Sequence, residues 1–412
     1  MSERHSAAAR RLLIVGMHNS PHVHRWLRMI ARPDTAILLF PVLNFPYELP
    51  EGFTRIRMPA ATRQLPPGLW VIDPADVQSD ADKIENRRLG YVPFSHSFVD
   101  PALLATPQRL IALIDAFQPH FLHSMEVQMA GYLCEEAARR IGPRFPRWIL
   151  SNWGSDLSLF RKLPGHEERL RKVCRRIDFY MGDCARDQVL ARAFGYRGPV
   201  LPIVPASGGM DIDAISQFAA EPPSARRVIM IKGYHNWAGR GLLALSAVQL
   251  AKEHLRDYRI QILAANANMK QWAAAAAAHT GLSIEPLGYA HDHLDALRRL
   301  AQARALIGIS ISDGIATTVL EAMMLGVFPI QSSTACVDEW VTHGRSGLIV
   351  SPHDTREMAD ALIRAASDDA LVDAAADENL RTIKARWDLA INAARIWEIY
   401  EPLLPASEGA RA

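Results

Sequence analysis

The run ALIGISISDGIATTVLEAMMLGVFPIQSSTACVDEWVTHGRSGLIVSPHD, residues 305–354, decides the fold class. Its first seven residues are predominantly apolar, as a strand buried on both faces of a parallel sheet must be. The sequence predicts that this strand ends at Ser312, that Asp313-Gly314 turns the chain, and that a helix runs from about Thr318 to Leu325 before Gly326 stops it. Thr318-x-x-Glu321 has the spacing of a capping box. Taken alone, this is an ordinary turn and cap. The same corner also has free backbone N–H groups and the positive end of a helix dipole, which suit a phosphate.

Outward from this run the rhythm repeats. Apolar runs at 228–231, 259–263, 284–287 and 327–331 alternate with helical patterns. An earlier series does the same at 12–15, 36–40, 121–123, 148–150 and 200–204, with amphipathic stretches at 21–31, 107–117 and 128–141 between them. Short apolar strands alternating with helices predict an α/β chain of two doubly wound parallel sheets. Residues 205–227 carry prolines and paired glycines with little periodicity, and they separate the two series. The expected division is 1–205, 206–386 and a final segment 387–412. Residues 41–100 interrupt the first series with eight prolines and read as a loop-rich insertion. The six alanines at 273–278 read as a surface helix.

Composition closes off several classes. The 412 residues carry 46 Lys+Arg against 44 Asp+Glu, so no global field draws the chain to nucleic acid, and an anionic ligand must be held by local cations. With 49% hydrophobic and 22% charged residues the chain is globular rather than disordered. Cys134, Cys174, Cys184 and Cys336 are too scattered for a disulfide framework or a C-x2-C metal site, and read as reduced thiols of a cytoplasmic protein. No apolar run approaches the length of a membrane span.

The 305–354 run resembles the donor-site signature of the family-4 retaining glycosyltransferases of the GT-B fold. There, Glu-Gly-Phe-Gly and a later Glu-Ala precede Gly-x-Pro-Val-Ile and a Glu-x-Val with two glycines. Here the run reads Asp313-Gly314-Ile315-Ala316, then Glu321-Ala322, then Gly326 to Ile330, then Glu339-Trp340-Val341 and Gly344 to Gly347. Asp313 stands where the family has Glu, and Ala316 where it has Gly. The segment VIMIKGYHNWAGRG matches the family's phosphate-binding loop, with Gly233 as its first glycine and Arg240-Gly241 in place of Lys-Gly. Tyr234 replaces the usual Arg, and Lys232, one residue before Gly233, stands to supply the charge. Gly288 falls in the family's base-contacting loop.

In the first half, residues 121–126 match Leu-His-x-His-Glu, with His123 and Glu126 kept and Met125 replacing the second His. Residues 153–156 read Trp-Gly-Ser-Asp, a variant seen in some members. The loop Gly16, Met17, His18, Asn19, Ser20 follows the first strand, with Ser20 as N-cap and Pro21 at the first helical position.

The resemblance implies two Rossmann-like domains across a cleft and a C-terminal helix returning to the first, anchored by Trp387, Trp397 and Tyr400. It implies a nucleotide-diphosphate sugar as donor, held by Lys232, Arg240, Gly288, Gly314, Thr317 and Thr318. Asp313 would hold sugar hydroxyls and Glu321 the ribose, and His123 and Glu126 would stand beside the reacting sugar. Gly16, His18, Asn19, Ser20 and Asp156 would face the acceptor, a glycan or lipid-linked hydroxyl of surface polysaccharide assembly. It implies no cofactor and no metal. Asp211-Ile212-Asp213 has the D-x-D pattern of metal-dependent transferases, but lies in the linker. His123 also reads as a buried strand residue, and Asp156 as a turn acid. The basic residues 161, 162, 169, 171, 172, 175 and 176 read either as a solvated face or as a peripheral contact with an anionic inner membrane. An epimerase of the same fold, or a non-catalytic nucleotide-sugar or glycan binder, remains open on sequence.

Overall fold

The computed structural model describes residues 10–58, 62–79, 101–219 and 221–405. The chain forms two compact units. One comprises residues up to Gly208 together with those from Asn392 onward, the other Gly209–Ile391.

In the first unit the strands are β1 (Arg10–Gly16), β2 (Thr35–Pro41), β3 (Phe53–Ile56), β4 (Gly68–Ile72), β5 (Phe121–Met125), β6 (Arg147–Ser151) and β7 (Phe179–Met181). They form one parallel sheet in the order β3-β4-β2-β1-β5-β6-β7. The side-chain period of two splits β1 cleanly. Leu13 and Val15 enter the core under the helices Pro107–Phe117 and Tyr132–Ile141, while Leu12 and Ile14 enter the core under the helix Pro21–Met29. Both faces are covered, which is why the inner strands read as unbroken apolar runs.

The second unit repeats the plan. Strands β8 (Val228–Lys232), β9 (Arg259–Leu263), β10 (Ser283–Pro286), β11 (Ala305–Gly308), β12 (Phe328–Ser332) and β13 (Leu348–Val350) form a parallel sheet ordered β10-β9-β8-β11-β12-β13. Ile229, Ile231, Ile307 and Ile330 face one core, and Met230 and Leu306 the other. In both sheets the order reverses beside the first strand, between β1 and β5 and between β8 and β11. Open sheets of this kind bind ligands outside the carboxyl ends of the strands at that reversal.

Several expectations change. Residues 200–204 form no strand, only a bridge from Val200 to Tyr180, because Pro199, Pro202 and Pro205 remove ladder donors. Within the insertion, β4 extends the sheet and β3 forms its edge, and residues 59–61 and 80–100 lie outside the described residues. The alanine run belongs to the helix Ala267–Thr280, which buries Ala273 and Ala276 against the sheet rather than lying wholly on the surface. The final helix is two. Asp369–Arg386 ends at Trp387, and Asp388 then caps Leu389–Tyr400 by accepting from the N–H groups of Ala390 (2.9 Å) and Ile391 (3.1 Å). Trp387 is therefore buried in the second unit's core, and only Trp397 and Tyr400 anchor the last helix in the first unit.

Candidate functional site

At the sheet reversal of the second unit, β8 ends in Lys232 and the chain then loops to the helix Gly241–Leu250. Gly233 turns that loop so tightly that a Cβ there would overlap the carbonyl oxygen of Leu263 on β9. The loop after β11 is stapled to it. Arg240 N–H donates to the Ile309 carbonyl (2.8 Å), Ile311 N–H donates to Ala238 (2.9 Å), and Gly239 bridges Ser310. This short ladder ends the regular strand at Gly308, not Ser312, since residues 309–311 pair with the β8 loop instead of with the sheet.

The stapling brings Lys232 Nζ to 3.9 Å from Asp313 Oδ2, and Lys232 lies 5.6 Å from the Tyr234 ring centroid. Asp313 Oδ1 accepts from Gly314 N–H at 3.0 Å. The helix that follows starts at Thr317, with Ala316 as its N-cap residue. Ala316 has no side-chain acceptor, so Thr317 and Thr318 open the helix without a side-chain cap. The expected Thr318 capping box is not formed, because Thr318 is already inside the helix. Glu321, one turn further on, is instead held from the neighbouring helix His293–Leu300, with His293 Nε2 at 2.6 Å from its Oε1. Neither His293 nor Gln331, whose amide lies among Lys232, Gly308 and Ser332, stood out in the sequence. Gln331 does carry a signal, as a polar residue in an otherwise buried strand that includes Phe328 and Ile330.

Two donor-side expectations shift. The Arg240 guanidinium folds back, donating through Nη1 to its own loop carbonyls of Asn236 (3.0 Å) and Gly239 (2.9 Å), so it shapes the loop as well as charging it. At Gly288 a Cβ would meet nothing within 4 Å, and the adjoining Tyr289 is 73% exposed. Gly288 is therefore not required by packing inside the unit.

The first unit treats its motif residues differently. His123 shares a strand face with Phe121 and Met125, under Trp26 and Tyr400. Its Nδ1 lies 2.5 Å from the Tyr400 hydroxyl and its Nε2 2.7 Å from Ser151 Oγ. The Trp26 indole can only donate, and it reaches the Tyr400 oxygen at 3.2 Å. The tyrosine proton therefore goes to His123 Nδ1, and His123 donates from Nε2 to Ser151. Burial drives the imidazole pKa down to about 3, so the ring is neutral. With both nitrogens hydrogen-bonded in the core, His123 has a structural role in this unit.

Glu126 sits at the end of β5 with φ of 76°, and its Oε1 accepts from Met129 N–H (2.7 Å) and Ala130 N–H (2.5 Å), capping a single π turn, Val127–Gly131. Asp156 Oδ2 accepts from Val127 N–H at 3.0 Å, from below the same turn. Both carboxyls are buried. Desolvation, and for Glu126 the neighbouring Asp156 charge, pushes them up to about 8 and about 7 respectively. Both carboxyls hold the backbone at the β5 edge, a structural role that Glu126 and Asp156 share.

In the loop after β1, His18 turns inward, with Nε2 2.7 Å from the Phe45 carbonyl oxygen, and burial lowers its pKa. His24 Nε2 in turn lies 2.6 Å from the His18 carbonyl oxygen. Of this loop, Asn19 is partly exposed, while Gly16 and Ser20 are buried, and Ser20 holds the N-cap position without a side-chain bond. Asp211 caps the helix Ile212–Ser216, and Asp213 pairs with Lys384 at 2.8 Å, so the D-x-D serves the fold. On the basic helix His166–Arg176, Arg171 pairs with Glu167, Lys172 with Glu168 and Arg176 with Glu135, while Arg169 lies over the Tyr132 ring. Among the described residues, no helix is long and apolar enough to cross a membrane.

Comparison with known proteins places this geometry. Residues 225–368 match the family model "Glycosyl transferases group 1" and residues 75–181 match "Glycosyl transferase 4-like", together more than half of the chain. No curated protein matches by sequence. Among solved structures, the chain is similar to a sucrose-phosphate synthase from Thermosynechococcus elongatus (TM-score 0.66, 12% identity, 96% of this chain and 99% of that one). It is similar also to Anabaena HepE in complex with UDP and glucose (0.65, 13%, 95% and 100%). A third is the UDP-forming α,α-trehalose-phosphate synthase of Burkholderia xenovorans in complex with glucose-6-phosphate (0.67, 14%, 95% and 100%). These identities establish the fold of the two Rossmann-like units, and the two family models carry the rest: the chain belongs to the family-4-like glycosyltransferases of the GT-B fold.

Proposed function

We propose that this glycosyltransferase moves a sugar from a nucleotide-diphosphate sugar, with retention of anomeric configuration, to the hydroxyl of a glycan or lipid-linked acceptor in surface polysaccharide assembly. The observation that carries the donor site is the meeting of Lys232 and Asp313 at the sheet reversal, in the loops that lead to the uncapped helix start at Thr317. Lys232 and the N–H groups of Thr317 and Thr318 meet the diphosphate, Gly314 turns the loop with its N–H on Asp313, Arg240 adds charge from the stapled loop, Asp313 accepts from sugar hydroxyls, and Glu321 from the ribose. UDP and glucose are bound in the similar HepE structure, and that complex supports a nucleotide-sugar donor here.

In the reaction, the acceptor oxygen bonds to the anomeric carbon on the face from which the diphosphate leaves. The carbon–oxygen bond to phosphate breaks with its electron pair on the phosphate, and the acceptor proton passes to that oxygen. The products are the glycoside and the nucleoside diphosphate. The protein's share is positioning and positive charge at the leaving group, which on this reading Lys232 and the helix start supply without a metal. Asp313→Ala and Lys232→Ala are expected to stay folded and to lose turnover by about a hundredfold or more, the scale of removing a charge-stabilising group. Near wild-type turnover in both, with an active donor in hand, would sink the assignment.

A further inference from the structure

β12 is buried along its length, yet it carries Gln331. Phe328 and Ile330 point into one core. Gln331, paired in register with Gly308, points to the opposite face, the one lined by Met230 and Leu306 and covered by the helix Thr317–Met324. The side chain is 1% exposed. Its Nε2 reaches only Ser332 Oγ, at 3.4 Å, and its Oε1 has no hydrogen-bond partner. A buried amide oxygen left unpaired destabilises the fold, and an apolar side chain of the same shape would remove that cost.

The surroundings are arranged to keep this group. A Cβ at Gly308 would overlap Gln331 Oε1, so the glycine leaves the room the amide occupies, and Lys232 Cδ lies 3.8 Å from the same point. The unpaired acceptor thus sits at the carboxyl edge between β8 and β12, beneath the lysine that meets Asp313.

We propose that Gln331 is a specificity-determining residue whose amide oxygen accepts a hydrogen bond from a hydroxyl of the hexose carried by the donor. The inference rests on the donor-site reading above and names the part of the donor that is read. Phosphate oxygens are acceptors and cannot satisfy an amide oxygen, whereas a sugar hydroxyl beside the diphosphate can. Recognition by a buried polar group is selective because a sugar lacking the matching hydroxyl leaves the group unpaired.

The test is calorimetric titration of the full chain and of Gln331→Met with UDP and UDP-glucose, extended to other nucleoside diphosphates and their hexose conjugates where the wild type prefers them. The expected result is an unchanged affinity for the diphosphate, about a tenfold loss for the hexose conjugate, and a ligand-free melting temperature no lower than wild type. Gln331→Glu retains the acceptor and is expected to keep the ratio between the two ligands, even where the added charge weakens both. Equal affinity of Gln331→Met and wild type for the conjugate, or an equal loss for both ligands, overturns the proposal. A wild-type chain that binds no diphosphate or conjugate overturns instead the donor-site reading beneath it.

Discussion

A single side chain shows how a motif residue can serve the fold. Glu126 is buried, and its pKa of about 8 lies above the ordinary glutamate value of 4.5 chiefly through desolvation. Between those two values the folded chain holds a proton that the unfolded chain has released. Stability is therefore full below about pH 4.5 and falls as pH rises toward 8, by up to about 1.4 kcal/mol per pH unit from this group. Gln at this position keeps the oxygen that accepts from Met129 and Ala130 and removes the titration. Glu126→Gln is expected to melt above wild type at pH 8, with the advantage shrinking toward pH 5, and an advantage equal at both pH values would refute the account. His123 runs the other way. Its folded pKa lies below the ordinary value of 6.5, so its contribution is whole above that pH and is lost on acidification toward about 3. The sequence puts His123 within an apolar strand and Glu126 just past its end. Which way each side chain points depends on strand parity and on a helix more than 250 residues away, and no local motif carries that information.

At the level of elements, the helix Thr317–Met324 joins stability to binding. Ala316 already has the extended backbone of an N-cap, with φ of −64° and ψ of 119°, and lacks only the acceptor. Ala316→Ser supplies one. It is expected to stabilise the unit by about 1 kcal/mol, the usual worth of a cap, and to weaken nucleoside-diphosphate binding several-fold, since the new hydroxyl takes an N–H meant for the ligand. Thermal melting with calorimetry reads both, and an unchanged affinity would remove the helix start from the site. The inner strands were legible because burial on both faces forces unbroken apolar runs. β3 was not, since all four of its residues stay partly or fully exposed at the sheet edge, and β7 and β13 are only three residues long. The 305–354 run puts Asp313 in the turn after β11 and Glu321 in the helix that follows. His293 escaped because its contact comes from a helix 28 positions earlier in the chain.

Across the whole molecule, the first unit is closed by its own C-terminus. Tyr400 bonds Trp26 and His123, Arg10 pairs with Glu401 at 2.5 Å, and Asn392 Nδ2 donates to the Gly208 carbonyl at 3.0 Å. Tyr400→Phe leaves the Trp26 N–H and His123 Nδ1 buried and unpaired, and is expected to cost about 2–3 kcal/mol, read as a lower denaturation midpoint. A midpoint within error of wild type would show that the hydroxyl ties nothing. The same closure sets an order in time. On the ribosome, Trp26 and His123 emerge early, but the tyrosine that satisfies them is made only after all of Gly209–Ile391. The second unit is one uninterrupted piece of chain and can complete its fold during synthesis. The first must wait, with an apolar face open, until the helix Leu389–Tyr400 has been made.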